Sequence, residues 1–383
     1  MNYDVAVVGA GVFGAWTAYQ LRLQGATVVL LDAYGPGNSR ASSGGESRVI
    51  RLGYGADEIY SRSAQRSFQL WQQLFGQREH WSQLFHKTGV LWLAREQDSY
   101  SEATLSILKQ LGAKHERLDG DELRRRFPQL ELGPIAWGIL EPNAGVLMAR
   151  RAVQAVVAQA QADGVMYSEQ AVASPLPREE KLRSIKTSSG TGIFAERFVF
   201  ACGPWLPKLF PDLLGDLIHV TRQEVFFFGV PPGDENLGLG KMPVWIDFND
   251  LVYSIPNLDG RGFKVAIDAH GPEFDPDTGE RVVSTAGLNA ARQYLAQRVP
   301  LMANAPVTET RVCQYENTSN GDFLIDKHPA FENVWLVGGG SGHGFKHGPA
   351  VGEYVAGMIS GEGQTQPRFS LASKGKVKGR TVY

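Results

Sequence analysis

Residues 4–32 read DVAVVGAGVFGAWTAYQLRLQGATVVLLD, and this stretch decides how the chain begins to fold. Residues 4–8 are a short apolar run of the kind that makes a buried parallel strand. Gly9, Gly11 and Gly14 follow in a GxGxxG pattern with Ala10, Val12 and Phe13 between them. Residues 15–24 then read as a helix, and residues 28–31 as a second strand that ends on Asp32. Gly9 permits the tight turn, Gly11 lets the backbone approach a pyrophosphate, and Gly14 lets helix and strand pack closely. Free N–H groups at the helix start, reinforced by the helix dipole, attract phosphate charge. Asp32 can accept from a ribose hydroxyl, which suits an unphosphorylated ribose and hence FAD or NAD rather than NADP. Strand, helix, second strand and acid stand in register, so the stretch is a dinucleotide-binding unit and not merely a Gly-rich turn.

A chain of 383 residues suggests about two domains. Hydrophobic content of 43% and charged content of 20% are those of an ordinary globular protein. The formal net charge of −2 gives no global basic field for nucleic acid or anionic lipid. No apolar stretch approaches the roughly 20 residues that span a bilayer. The first strand is entered without a charged n-region or cleavage site, so no secretory signal is expected. Cys202 and Cys313 are the only cysteines and lie far apart. They form neither a disulfide framework nor a metal cluster, and they fit a reducing cytoplasm, the expected location. The eight histidines include no HExxH pair, and no metal site is expected.

Residues 34–45 are a loop dense in Gly, Ser and Pro. Helices are predicted over 58–75, 102–111, 150–163 and about 349–360, and strands over 88–93, 166–168, 198–201 and 334–337. From about 221 to 267 the rhythm changes to short β-rich runs, at 225–228, 252–255 and 263–267, separated by turn residues. That change suggests an antiparallel sheet of a second domain. Residues 4–8 and 334–337 are expected to be neighbours in one sheet, with the second domain inserted between them. The tail carries Lys374, Lys376, Lys378 and Arg380 and reads as a solvated end.

Four further segments extend the pattern: residues 42–51 (SSGGESRVIR), Cys313 with Tyr315, residues 322–329 (DFLIDKHP) and residues 341–346 (SGHGFK). In order and spacing they resemble the monomeric sarcosine oxidase and N-methyltryptophan oxidase family, flavoproteins of the D-amino-acid-oxidase fold class. The resemblance runs to about residue 360 and is strongest at the two ends. It implies an α/β chain (α+β overall) in which a Rossmann-type FAD-binding domain carries an inserted antiparallel-sheet substrate domain. The expected division is 1–85, 145–217 and 310–383 for FAD, and 86–144 and 218–309 for substrate.

The same resemblance assigns roles residue by residue. Arg51 binds a substrate carboxylate bidentately and Arg48 lies over the flavin; a pair of surface arginines is the ordinary alternative. Lys346 is the second cationic contact to that carboxylate. Ser42 and Ser43 lie on the cofactor side. Gly342, His343, Gly344 and Phe345 offer backbone N–H groups toward the flavin pyrimidine ring. Cys313 attaches the flavin by a thioether to its 8α-methyl, and Tyr315 lines the substrate cavity. Strand alternation puts Cys313 and Tyr315 on one face, whereas Cys202 is expected in the core. Lys264, the only lysine between Pro243 and Pro272, stands at the place of an oxygen-activating lysine, where a fixed cation stabilises nascent superoxide. Tyr253 keeps its expected spacing from it. Two positions depart from the family: its active-site histidine falls on Asp268, with His270 two residues later on the same strand face, and its paired histidines before the arginines are replaced by Ser43 and Gly44. Asp268 either salt-bridges a basic substrate or caps the strand.

The expected activity is FAD-dependent oxidation of the C–N bond of an amino acid to an imine, with O2 reduced to hydrogen peroxide. A secondary amine, N-alkyl or cyclic, is the expected substrate. A monomer with small-molecule partners only is the expected state. The residues leave open a dehydrogenase with another electron acceptor, a primary amino-acid oxidase, an NAD enzyme, and a flavin-binding or tRNA-modifying protein. The absence of a basic face weighs against the last.

Overall fold

The computed structural model describes residues 2–176 and 179–376. Strand Asn2–Val8 lies inside a seven-stranded sheet of order Leu324–Lys327, Val334–Gly338, Gly192–Phe200, Asn2–Val8, Val28–Asp32, Met166–Glu169, with Ser184–Lys186 beside Gly192–Phe200. Its inner pairings are parallel, and Leu324–Lys327 and Ser184–Lys186 add antiparallel edges. Residues 4–8 and 334–337 are therefore not neighbours: Gly192–Phe200 runs between them. The apolar end of that strand, Phe198 to Phe200, is fully buried and takes the central slot. Adjacent exposed Glu196 and Arg197 separate it from the earlier apolar residues 193–195, which hid the strand's length.

Helix Val12–Leu23 follows the first strand so closely that a Cβ on Gly14 would collide with the Gly9 carbonyl, while Gly9 itself takes φ +104°. Helix Gly348–Ser360 packs across it with equal closeness, since a Cβ on Gly352 would lie 2.6 Å from Trp16 C. Helix Glu58–Phe75 has the predicted limits, and Ser99–Gln110 starts earlier than predicted because the Asp98 carboxylate caps it, accepting from Ser101 N at 2.9 Å.

A second sheet has eight strands in the order Val307–Thr318, Ile218–Phe228, Phe263–Ile267, Val252–Ile255, Val244–Asp247, Val90–Arg95, Ile135–Glu141, Glu116–Asp119. All its pairs are antiparallel except Val244–Asp247 with Val90–Arg95, so the expected antiparallel sheet contains one parallel step. Leu91, Phe226, Phe228, Trp245 and Val265 form its core with Ala291 and Leu295 of helix Thr285–Arg298. The expected boundary at 309/310 falls inside Val307–Thr318. A third sheet joins Arg48–Ile50 and Phe85–His86 through Gly145–Leu147, and it fixes the start of the arginine segment.

The reading of the tail needs correction at Lys374, which is buried. Its Nζ donates to Arg368 O at 2.7 Å and Asn320 Oδ1 at 3.2 Å. Lys376 pairs with Asp216 at 2.7 Å on the surface, while Lys378 and Arg380 lie outside the described residues. Among the described residues no helix is long and apolar enough to cross a membrane. No cluster among them could hold a metal ion.

Candidate active site

A cleft of about 280 Å³ opens where strands Asn2–Val8, Val28–Asp32, Gly192–Phe200 and Val334–Gly338 end, at the carboxyl edge of the parallel sheet. Gly9, Gly11, Val12, Phe13, Asp32, Ser42 and Ser43 line it. Helix Val12–Leu23 starts at Gly11 without a side-chain cap, and Val12 N–H donates to Ser43 Oγ at 3.0 Å. Asp32 accepts from Ala10 N–H at 2.7 Å and Tyr34 N–H at 2.8 Å, and burial pushes its carboxyl up. Ser42 Oγ is buried on the same wall with no partner among the described residues. An uncapped helix start, an acid at the tip of the second strand and an orphaned hydroxyl fit a bound dinucleotide.

A smaller cavity of about 80 Å³ adjoins the cleft, and Arg48, Tyr315, Gly342 and Phe345 line both. Arg48 opens strand Arg48–Ile50; its Nη2 donates to Ser42 O at 2.8 Å and reaches Cys313 Sγ at 3.3 Å, and its Nη1 donates to Ser47 O at 2.9 Å. A Cβ on Gly45 would strike the Arg48 guanidinium, so the glycine loop before it is needed for this fit. Arg51 follows the strand, 5% exposed, with its guanidinium 4.3 Å from the Tyr54 ring and 4.6 Å from Trp92. Glu141 holds the loop beyond it, accepting from Leu52 N–H at 2.8 Å, Gly53 N–H at 3.1 Å and Trp92 Nε1 at 2.8 Å. Lys346 sits on the turn Gly344–His347; its Nζ donates to Tyr54 Oη at 2.8 Å and His343 O at 3.0 Å. Burial, then the Arg51 charge, push its ammonium well below the usual lysine range.

Cys313, Tyr315, Tyr253 and Asp268 complete this wall. Tyr315 Oη donates to Asp268 Oδ1, and burial holds both phenols, Tyr253 and Tyr315, above their ordinary value. Burial also lifts Asp268 to about 6, against the Tyr315 hydrogen bond and the charges of Arg51, Lys346 and Lys264. Lys264 stands behind the wall, 2% exposed, donating to Ser47 O at 3.1 Å with Nζ 5.4 Å from the Tyr253 ring centre. Burial and the Arg48 charge push it well below the usual lysine range.

Three expected placements differ. His270 lines neither cavity: the strand stops at Ile267, and Gln223 turns the chain by bonding Ala269 O and Gly271 N–H at 2.8 and 3.0 Å. The alternation that put it beside Asp268 has already ended there. The N–H groups of His343 and Gly344 are spent on Gly340 O, at 3.0 and 2.8 Å, although both residues line a cavity. Cys202, expected in the core, is half-buried on the cleft wall, its thiol pushed up by burial and donating to Val8 O at 3.4 Å.

Four supporting residues escaped the sequence reading: Tyr54, Glu141, His347 and Glu316. His347 Nε2 lies 2.7 Å from Tyr54 Oη, so it steadies the partner of Lys346. A carboxylate at the end of an otherwise apolar strand was the available signal for Glu141, because unpaired Glu is rarely buried. Glu316 lines the large cleft with Oε2 unpartnered among the described residues, and burial pushes it up to about 7 against the N–H groups of Gly340 and Gly339.

A family model described as FAD dependent oxidoreductase matches residues 4–358. The chain belongs to the FAD-dependent oxidoreductase family. FAD is thus the cofactor, which resolves the choice between FAD and NAD. Among relatives of this oxidoreductase is the monomeric sarcosine oxidase of Bacillus sp. (strain NS-129), 32% identical over 97% of this chain and 96% of that protein. Another is the N-methyl-L-tryptophan oxidase of Salmonella heidelberg (strain SL476), 26% identical over 97% of each. In fold the oxidoreductase is similar to L-proline dehydrogenase from P. horikoshii, with a TM-score of 0.83 over 97% of each chain at 20% identity.

Glu316 gives a pH test of the cleft. Its folded value of about 7 stands above the ordinary 4.5, so the unfolded chain surrenders this proton first. The stability it contributes is full below about 4.5 and is lost as pH rises through about 7. Glu316→Gln stays neutral throughout. Between pH 5 and 8 the wild type should therefore lose stability relative to the variant, as read from thermal midpoints at both pH values. Parallel pH profiles of the two proteins would contradict this.

Proposed function

We propose that the protein oxidises the C–N bond of an amino acid to an imine, with O2 reduced to hydrogen peroxide. The observation that carries this reading is a pair of buried cations, Arg51 and Lys346, on the wall of a cavity continuous with the FAD cleft. A guanidinium and an ammonium in one small cavity suit a carboxylate, and desolvation strengthens both contacts. At about 10–15 Å³ per water-sized position, a cavity of about 80 Å³ has room for a small amino acid. The names of the relatives support a secondary amine, N-alkyl or cyclic, and a monomer as the working unit. Two unpaired cysteines support a reducing cytoplasm.

Bound FAD supplies the two-electron acceptor for the C–H bond beside nitrogen. The chain's own part is positioning. Arg51 and Lys346 hold the carboxylate, Tyr54 steadies Lys346, and Tyr315 and Phe345 sit where the two cavities meet. Arg48 places a fixed cation at that junction, beside Cys313, which we read as the thioether attachment point. Lys264 supplies the charge that assists reaction with O2. Its depressed ammonium is the one observation favouring a second reading, a dehydrogenase that hands electrons to another acceptor.

A peroxide-coupled screen of N-methyl, cyclic and primary amino acids should find turnover with a secondary amine. Arg51→Ala should weaken simple carboxylate inhibitors by about 10–100-fold, the equivalent of one charge-assisted contact. Arg51→Lys should also weaken them, since a point charge does not reproduce the bidentate fork. Normal inhibitor binding by both variants would move the substrate elsewhere.

Acid-precipitated wild-type protein should retain yellow flavin, and Cys313→Ser should release it while Cys202→Ser does not. A serine variant at position 313 that keeps its colour would refute the attachment.

Lys264→Met keeps the length and removes the charge. Stopped-flow measurement should show reoxidation by O2 slowed by orders of magnitude and anaerobic reduction slowed only modestly, because superoxide stabilisation enters the second half-reaction alone. Wild-type reoxidation should fall as pH rises through the depressed lysine value, where the cation is lost. Equal effects on both half-reactions would make Lys264 structural.

A further inference from the structure

Three carboxylates line the small cavity, and two are fully engaged. Glu224 pairs with Arg222 at 2.7 Å and accepts from Ser284 N–H at 2.7 Å and Oγ at 2.9 Å. Asp247 pairs with Arg298 at 2.9 Å and accepts from Tyr294 Oη at 2.8 Å. Asp268 differs: Oδ1 accepts from Tyr315, and no donor among the described residues reaches Oδ2. No backbone N–H among them donates to its side chain either, so it is not a strand cap. It is partly exposed and lines the same cavity as Arg51 and Lys346, close enough to feel both charges.

We propose that Asp268 is the proton acceptor for the substrate's ammonium group, its Oδ2 taking a proton from nitrogen while Arg51 and Lys346 hold the carboxylate. The proposal rests on the amino-acid reading above. In this step one N–H bond breaks and one O–H bond forms. Nitrogen keeps the electron pair, so aspartate and ammonium become aspartic acid and neutral amine, with no change in oxidation state. The step is needed because a C–H bond beside a protonated nitrogen cannot release two electrons with help from a lone pair. In water an alkylammonium outlasts a carboxylic acid by several pH units. Inside this cavity the balance shifts from both sides. Arg51, Lys346 and Lys264 oppose a further cation and favour the neutral amine, and burial has already raised Asp268 to about 6, close to working pH. The groups facing Asp268 are Tyr253 from the adjacent strand Val252–Ile255, Tyr315 from Val307–Thr318 two strands away, Lys264 from the strand that ends just before Asp268, Arg51 from the loop after Arg48–Ile50, and Lys346 from the turn Gly344–His347. The two tyrosines stay neutral across the neutral range, and Asp268→Asn separates the Asp268 ionisation from those of the depressed Lys264 and Lys346.

The test uses the flavin-loaded enzyme, Asp268→Asn and Asp268→Glu, with two matched probe pairs. Methoxyacetate is sarcosine with the amine replaced by an ether oxygen, and tetrahydrofuran-2-carboxylate stands in the same relation to proline. Binding is read from perturbation of the flavin visible spectrum, and amine reduction from anaerobic stopped-flow traces. For wild type, the reduction rate at limiting amine should rise with pH through the Asp268 ionisation of the free enzyme, near 6. Asp268→Asn should lose that limb and reduce about 100-fold more slowly or worse, yet bind the ether probes as tightly or more tightly, since a negative charge beside the clamp is gone. Asp268→Glu should restore part of the rate and the pH limb. The proposal is overturned if Asp268→Asn keeps both rate and limb, or if it loses ether and amine binding alike, which marks a structural role. If neither ether nor amine perturbs the wild-type flavin and Arg51→Ala is equally silent, the carboxylate-clamp reading fails and takes this proposal with it.

Discussion

Four cations, Arg48, Arg51, Lys264 and Lys346, are held around one small cavity, and removing each from water carries a penalty of several kcal/mol before compensation. The compensation in the free chain is partial. It comes from the Asp268 and Glu141 carboxylates, from the carbonyls of Ser42, Ser47, Gly53 and His343, and from the faces of Tyr54, Trp92 and Tyr253. Two carboxylates, with dipoles and ring quadrupoles, offset four positive groups only in part. The surrounding architecture is organised by that residue of positive potential: Gly45 is bare so that Arg48 fits, Glu141 rigidifies the loop that carries Arg51, and His347 steadies the phenol that receives Lys346. Anions complete such a site. On the proposed reading, a dinucleotide and a carboxylate add to its stability as well as its chemistry, since whatever binds only the folded state deepens the folded well.

The beginning of the chain was legible because its signal is local. The turn, the helix start and Asp32 lie within one short βαβ unit, and each glycine answers to a neighbour a few residues away. The cations and Cys313 were legible only through their resemblance to a family, because nothing local distinguishes Lys346 from a surface lysine. Their supports were not legible at all. Glu141 reaches Leu52 across 89 positions and Tyr54 meets Lys346 across 292, distances over which composition carries no information.

The misreadings have physical causes of the same kind. His270 was placed by extending a two-residue period past the point where Gln223 ends the strand. Lys374 was assigned to solvent from the charge of its surroundings, whereas two oxygens and a packed turn draw it inward. The sheet order failed because exposed Glu196 and Arg197 interrupt the apolar run of Gly192–Phe200, and half a strand looks like a short one.

Strand Val307–Thr318 serves both chambers. Cys313 and Tyr315 face the smaller chamber, Gln314, Tyr315 and Glu316 face the larger, and Glu316 O receives Ser341 N–H at 3.1 Å from the glycine turn after Val334–Gly338. A slip of one residue would turn every one of these side chains to the wrong side. Natural variation therefore has little freedom here: a single insertion or deletion would damage cofactor and substrate recognition in the same event.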